Sequence, residues 1–184
     1  MARPATLKEL VRKNIVIQKA TGELVMGKYR VNGYHVFLKP PEEGFYKGAS
    51  EAEKEFAKKA IAGDIESHEA AHKHLESLGI PSLRPPAECP GRHLGYVVLQ
   101  QRPNSREAFL YQFYPLAYAK ETQRWRGVGG HVIDHILEDL KREGIETVHM
   151  VDVRNPDLKA MLRRRGFSFR TTDRLYTGTM RFEK

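Results

Sequence analysis

Cysteine is nearly absent: Cys89 is the only one in 184 residues. No intramolecular disulfide can form, so a buried core has to hold the fold, and a cytoplasmic setting is expected. No apolar run approaches the roughly 18 residues that a membrane-spanning helix needs, so no membrane partner is expected. The opening Met-Ala-Arg-Pro-Ala-Thr lacks the apolar centre of a secretory signal. The chain contains no internal repeat and no low-complexity segment, which argues against a repeat architecture. Acid is also in short supply, with 23 Asp and Glu against 31 Lys and Arg, for a net charge of +8. That excess favours polyanionic company. A pyrophosphate-bearing cofactor and nucleic acid are both such anions, and charge alone does not separate them.

Hydrophobic residues make up 40% of the chain, which is enough for a globular core. The length fits a single domain spanning residues 1–184. Its expected parts are an N-terminal β-meander over 1–45, a helix pair over 50–79, and a core over 94–182. Residues 1–13 are basic, with Leu7, Leu10 and Val11 as a small apolar face. Strands are expected over 14–19 and 23–31, around Thr21-Gly22. Asn32-Gly33 is a strong hairpin signal, with 34–38 as the return strand. Pro40-Pro41-Glu-Glu-Gly44 ends the meander in a loop. Ser50-Glu-Ala-Glu53 is a capping box, and Phe56, Ala57, Ala60 and Ile61 give its helix an apolar face. Gly63-Asp64 breaks and recaps a second helix, which stops at Gly79-Ile80-Pro81. Residues 82–93 hold three prolines and read as loop. Strands over 94–101 and 108–119 then pair through Pro103-Asn104-Ser105.

The second strand leads into Arg124-Trp-Arg-Gly-Val-Gly-Gly130, the stretch on which the rest is organised. An amphipathic helix follows it, with Val132, Ile133, Ile136, Leu137 and Leu140 on one face. Glycines at a helix start let the backbone approach a ligand closely. The unpaired N–H groups of the first turn, at the positive end of the dipole, suit a phosphate or pyrophosphate. Arg124 and Arg126 add fixed positive charge. The same glycines can also simply ease close packing, and spacing alone leaves both readings open. Downstream, Gly144 is placed to end the helix, and 147–153 reads as a strand. Asn155-Pro156-Asp157 is an N-cap with proline at the first helical position. Leu158, Met161 and Leu162 form that short helix's apolar face, and Gly166 ends it. Residues 167–171 and 175–182 read as a closing hairpin around Thr172-Asp173.

This order resembles the catalytic half of the acetyl-CoA-dependent N-acetyltransferase (GNAT) superfamily. The family's pyrophosphate motif, R/Q-x-x-G-x-G/A, is matched by Arg124, Gly127 and Gly129. Its second motif, an asparagine opening a short helix with Gly-Phe eleven residues on, is matched by Asn155 and Gly166-Phe167. The resemblance spans about residues 108–182. It implies an α/β fold: a mixed, mostly antiparallel sheet of six or seven strands with flanking helices. It further implies transfer of an acetyl or other acyl group from CoA to an amine acceptor. The pantetheine arm would lie along Ala117, Tyr118 and Ala119, with a backbone oxyanion donor near Tyr118. The pyrophosphate would sit on Arg124, Trp125, Arg126, Gly127, Val128, Gly129, Gly130 and His131. Asn155 would hold the pantetheine or thioester end. One position departs from the pattern. Leu162 stands where the family often has a tyrosine acid, so the leaving thiolate would take its proton from water or a residue such as Tyr176. Catalytic residues are therefore unassigned. A non-catalytic module of the same fold, binding nucleic acid or protein, is the alternative.

A rival motif, His68-Glu-Ala-Ala-His72, satisfies H-E-x-x-H, the zinc peptidase pattern, with Glu69 placed to activate water. No third ligand is evident, since Glu88 and Glu107 both lie in loop-like sequence. Ile65, His68, His72 and Leu75 share one helical stripe, so the histidines are expected at the core edge and no metal is expected. Trp125 is expected to pack on its neighbouring helix, although between two arginines it could also stack on a base. Tyr111, Phe113, Tyr114 and Tyr118 crowd one strand and are mostly core. His149 has the chemistry of a general base, but mid-strand it reads as a hydrogen-bonded core residue. Arg163-Arg164-Arg165 reads as a solvated, dipole-favoured helix end.

Overall fold

The computed structural model describes residues 13–20, 24–39, 51, 73, 76–77, 92–115, 128–151, 153–172 and 175–182. The 1–12 segment, the 40–44 loop and the helix pair bearing His68 and His72 lie outside the described residues, apart from isolated positions. The proline-rich stretch with Cys89 and the segment 116–127 also lie outside them.

The described strands are β1 (Ile15–Lys19), β2 (Leu24–Met26), β3 (Tyr29–Leu38), β4 (Arg92–Gln101), β5 (Glu107–Pro115), β6 (Thr147–Met150), β7 (Ser168–Thr172) and β8 (Leu175–Arg181). They form one eight-stranded mixed sheet in the order β1-β3-β4-β5-β6-β8-β7, with β2 pairing the start of β3. All neighbours run antiparallel except β5 and β6. Two described helices, α1 (Val128–Arg142) and α2 (Pro156–Arg163), complete an α/β fold with one strand more than the upper expectation.

The N-terminal turn is not where the sequence places it. Asn32-Gly33 lies inside continuous strand β3, and the hairpin turns instead at Gly27-Lys28, where Met26 faces Tyr29 and Gly27 has φ 59°. A positive φ at the first central residue is what a II′ hairpin turn demands, and glycine meets it. Asn32 and Gly33 face Leu99 and Val98 on β4, and that ladder carries the strand through. On the other edge they mark the handover from β2 to β1, where Gly33 O accepts from Ala20 N at 2.9 Å. β3 thus lies between β1 and β4 and joins the N-terminal strands to the rest of the sheet.

Other local signals hold. The β4–β5 hairpin turns at Pro103-Asn104, with Ser105 N donating to Arg102 O at 3.1 Å and Asn104 at φ 62°. Proline followed by a residue of positive φ is the type II pattern. Both helices end on left-handed glycines, Gly144 at φ 81° and Gly166 at φ 86°. Ile145 N bonds Leu140 O and Phe167 N bonds Leu162 O across those ends, the Schellman arrangement.

The alternation of buried residues assigns the faces. Val132, Ile133, Ile136, Leu137 and Leu140 of α1 pack in one cluster with Ala108 and Leu110 of β5 and Val148 and Met150 of β6. Tyr34 and Val36 of β3, Val97 and Leu99 of β4, and Leu162 of α2 join the same cluster. The intervening residues Phe109 and His149 point to the opposite face, as the two-residue strand period requires. At the centre of the sheet that second face is buried too, by Val31, His35, Phe37, His93, Tyr96 and Val98.

Candidate functional site

The parallel pair β5–β6 creates the site. Their register runs from Glu107↔Thr147 to Leu110↔Met150, and Val151 N makes a last bond to Leu110 O at 3.3 Å. β5 continues to Pro115 with β4 on one side, but among the described residues no strand pairs its other edge over 111–115. The two strands part beside a bulge. Val98 faces Gln112 while Leu99 faces Leu110, so Tyr111 is the extra residue. A bulge bends its strand and raises the local twist. The result is a sheet edge with backbone donors and acceptors turned toward the gap.

Both helix N-termini meet this end of the sheet. α1 returns antiparallel to β5, since its far end delivers Glu146 N to Arg106 O at 2.8 Å, beside the start of β5. Its first turn, Val128 to His131, therefore stands at the C-terminal end of β5. No acidic residue occupies that turn, whereas Lys141 and Arg142 lie in the last one. The first-turn amides lie at the positive end of the helix dipole, which attracts an anion. After β6, Asn155 caps α2 at the same end. Its Oδ1 accepts from Asp157 N at 2.8 Å and from Leu158 N at 3.2 Å. The cap uses the amide oxygen, and among the described residues the NH2 group keeps its two donors for another partner. Crevices outside the carboxyl ends of parallel strands are where open α/β sheets take ligands.

Of the expected cofactor residues, Val128, Gly129, Gly130, His131 and Asn155 are described, and all five gather at this end of the sheet. Ala117, Tyr118, Ala119, Arg124, Trp125, Arg126 and Gly127 lie outside the described residues. The glycines of the stretch do not share one task. A Cβ on Gly130 would stand 2.7 Å from Arg165 Nη2 and 3.6 Å from Met161 Sδ, so this glycine admits α2 side chains.

Arg165 corrects the reading of the basic run. Arg163 and Arg164 are exposed, but the Arg165 side chain is only 19% exposed. Its Nε and Nη2 donate to Asp134 Oδ1 and Oδ2 at 2.5 and 2.8 Å, and Nη1 donates to Met161 O at 3.1 Å. The pairing of Asp134 with Arg165 is not legible in the sequence because nothing local links two residues 31 apart.

His149 behaves as a structural residue. Its ring stacks on Phe109 with centroids 4.7 Å apart, and Nδ1 lies 3.1 Å from Thr179 Oγ1. Burial lowers its pKa, and the Glu107 carboxylate, 4.0 Å from Nε2, only partly offsets this. Leu162 is fully buried and has no polar atom to offer. A second histidine pair was not foreseen. His35 Nδ1 and His93 Nε2 lie 3.1 Å apart on the face away from α1, and each residue is 2% exposed. Strand alternation marks such positions as inward-facing but carries no signal of the pairing. Among the described residues, no group of three metal-ligating side chains comes together. No described helix is long and apolar enough to cross a membrane.

No model of a known protein family matches the chain, and no curated protein does. Solved structures do. The ribosomal-protein-S18-alanine N-acetyltransferase from Escherichia coli is 17% identical, with TM-score 0.43 over 53% of this chain and 66% of that one. Ard1 from Thermoplasma volcanium is 19% identical, with TM-score 0.41 over 50% of this chain and 66% of that one. The PaiA N-acetyltransferase from Thermoplasma acidophilum, solved with coenzyme A, is 14% identical, with TM-score 0.41 over 52% and 57%. The chain thus spans between 57% and 66% of the length of these three relatives. Two of the three are N-acetyltransferases by name.

Proposed function

We propose that this chain transfers an acetyl or other acyl group from its CoA thioester to an amine acceptor. The observation that carries the reading is the convergence at one end of the sheet: the β5 edge that no described strand pairs over 111–115, the acid-free first turn of α1 and the Asn155 cap. A CoA thioester presents matching groups, with amides along its pantetheine arm and charge at its pyrophosphate. Residues 111–115, and 117–119 beyond them, would bond the arm as an added strand. Amides from Arg124 to His131 would take the pyrophosphate, with Arg124 and Arg126 contributing charge-assisted bonds. The NH2 group of Asn155 would hold the pantetheine or thioester end.

In the reaction the neutral amine forms a C–N bond to the acyl carbon, and the C–S bond breaks. Two protons must move: one leaves the amine, and one reaches the departing sulfur. A backbone N–H on the open β5 edge, in the region of Tyr118, would stabilise the oxyanion. Because Leu162 cannot donate, water or the Tyr176 hydroxyl would protonate the thiolate. The acceptor is an amine of either a small molecule or a protein.

Native mass spectrometry of the purified protein, followed by thiol release from acetyl-CoA across an amine panel, tests the proposal. Retained or added CoA at one per chain, with amine-dependent thiol release, supports it. A folded protein that takes up no CoA, or holds one zinc per chain instead, would refute it.

A further inference from the structure

We infer that Arg165 is a positioning residue for the anion site at α1, and that Gly130 is glycine to admit it. The inference rests on the CoA reading above and assigns a role to two residues outside the motif match. The first element is steric. Any Cβ on Gly130 would stand 2.7 Å from Arg165 Nη2, inside normal contact distance. The space that a side chain would fill at the start of α1 is thus occupied by a guanidinium from the end of α2. Gly130 can still offer its amide to a ligand, but its missing side chain serves Arg165.

The second element is electrostatic. Asp134 lies four residues after Gly130, about 6 Å further along the helix, so its carboxylate is close to the first-turn amides. Left alone, that charge would oppose the field that draws a pyrophosphate to the turn. Arg165 engages both carboxylate oxygens and is itself anchored to Met161 O. The pair presents the turn with far less negative charge than Asp134 alone would. The same contact fixes the start of α1 against α2, the helix that Asn155 caps. It ties the start of α1 to the C-terminal end of α2 and adds to the apolar packing of Leu162 against α1.

The two elements separate experimentally. Arg165→Met keeps the apolar stem and removes the charge, so it leaves Asp134 unpaired. CoA affinity, measured by calorimetry at low salt, should fall about fivefold, and the deficit should shrink as salt screens it. Adding Asp134→Asn to Arg165→Met should restore most of that affinity, which a purely structural ion pair would not allow. Gly130→Ala should displace the guanidinium and weaken CoA binding in the wild type, but change nothing further in Arg165→Met. The slot is also visible without ligand: Gly130→Ala should lower the melting temperature of the wild type and not that of Arg165→Met. If Gly130→Ala is equally damaging in both backgrounds, by melting and by affinity, the slot is refuted. If Asp134→Asn restores nothing, the charge role is refuted. A wild type that binds no CoA while the melting cycle holds would overturn the CoA reading and leave the slot standing.

Discussion

The hydroxyl of Tyr34 on β3 donates to Asp139 Oδ2 on α1 at 2.9 Å, across 105 positions of sequence. The N-terminal strands and the central helix thereby share a polar bond as well as an apolar cluster. Asp139 also accepts from Arg142 at 2.9 Å, and Lys19 of β1 pairs with Glu143 one turn on. Burial first, and Asp139 second, raise the pKa of the Tyr34 phenol far above its ordinary value.

That shift sets a direction in pH. Below about pH 10, the ordinary phenol value, the hydroxyl is protonated in both folded and unfolded chains, and its contribution is complete. Above it the unfolded chain loses the proton first, so stability falls as pH rises. Tyr34→Phe should cost about 1.5 kcal/mol at pH 8, the lower range for a bond to a charged acceptor. It should also flatten the decline above pH 10. Urea titrations of both proteins at pH 8 and 10.5 check this, and an unchanged decline in the variant would count against it.

His149 supplies the opposite sign. Its folded pKa lies below 6.5 because burial disfavours the imidazolium. Stability is complete above the unfolded value of about 6.5 and is lost as pH falls through the folded value. His149→Gln should remove that acid-side loss and leave the pH–rate profile of acyl transfer where it was. A shifted profile in the variant would make His149 part of the chemistry.

Leu162 is a packing residue in this structure. Truncation to alanine should cost about 2–5 kcal/mol, as fully buried leucines do. Turnover per folded molecule should be retained. Denaturant unfolding alongside active-site-normalised rates checks both halves. A selective loss of turnover with stability intact would mean that the side chain contributes to the reaction.

Local signals were the legible part of this fold. Gly144 and Gly166 end helices because a left-handed residue is needed there, and Asn155 caps because its oxygen reaches two amides. The apolar face of α1 follows from spacing alone. Asn32-Gly33 misled because a neighbouring ladder can carry a strand through a turn-prone pair, and β4 does so. The parting of β5 from β6 depends on register and on the bulge at Tyr111, neither of which spacing reveals. Arg165 looked solvated because its run of arginines is basic throughout. Only packing singles out the one that turns inward to Asp134.

The central claim is that the first turn of α1 receives the pyrophosphate of a CoA thioester. Gly129 is the second residue of α1 and is not among the glycines of positive φ, so a substitution there carries no left-handed strain and tests obstruction of the proposed ligand alone. Arg124→Ala should weaken binding by roughly ten- to a hundred-fold, the loss of one charge-assisted contact. Gly129→Val should abolish it. Calorimetric titration of acetyl-CoA into the wild type and Gly129→Val is the direct measurement. The account predicts one site per chain in the wild type and no heat of binding in a variant that remains folded. Equal affinity in both proteins, or no binding to folded wild type, would contradict it.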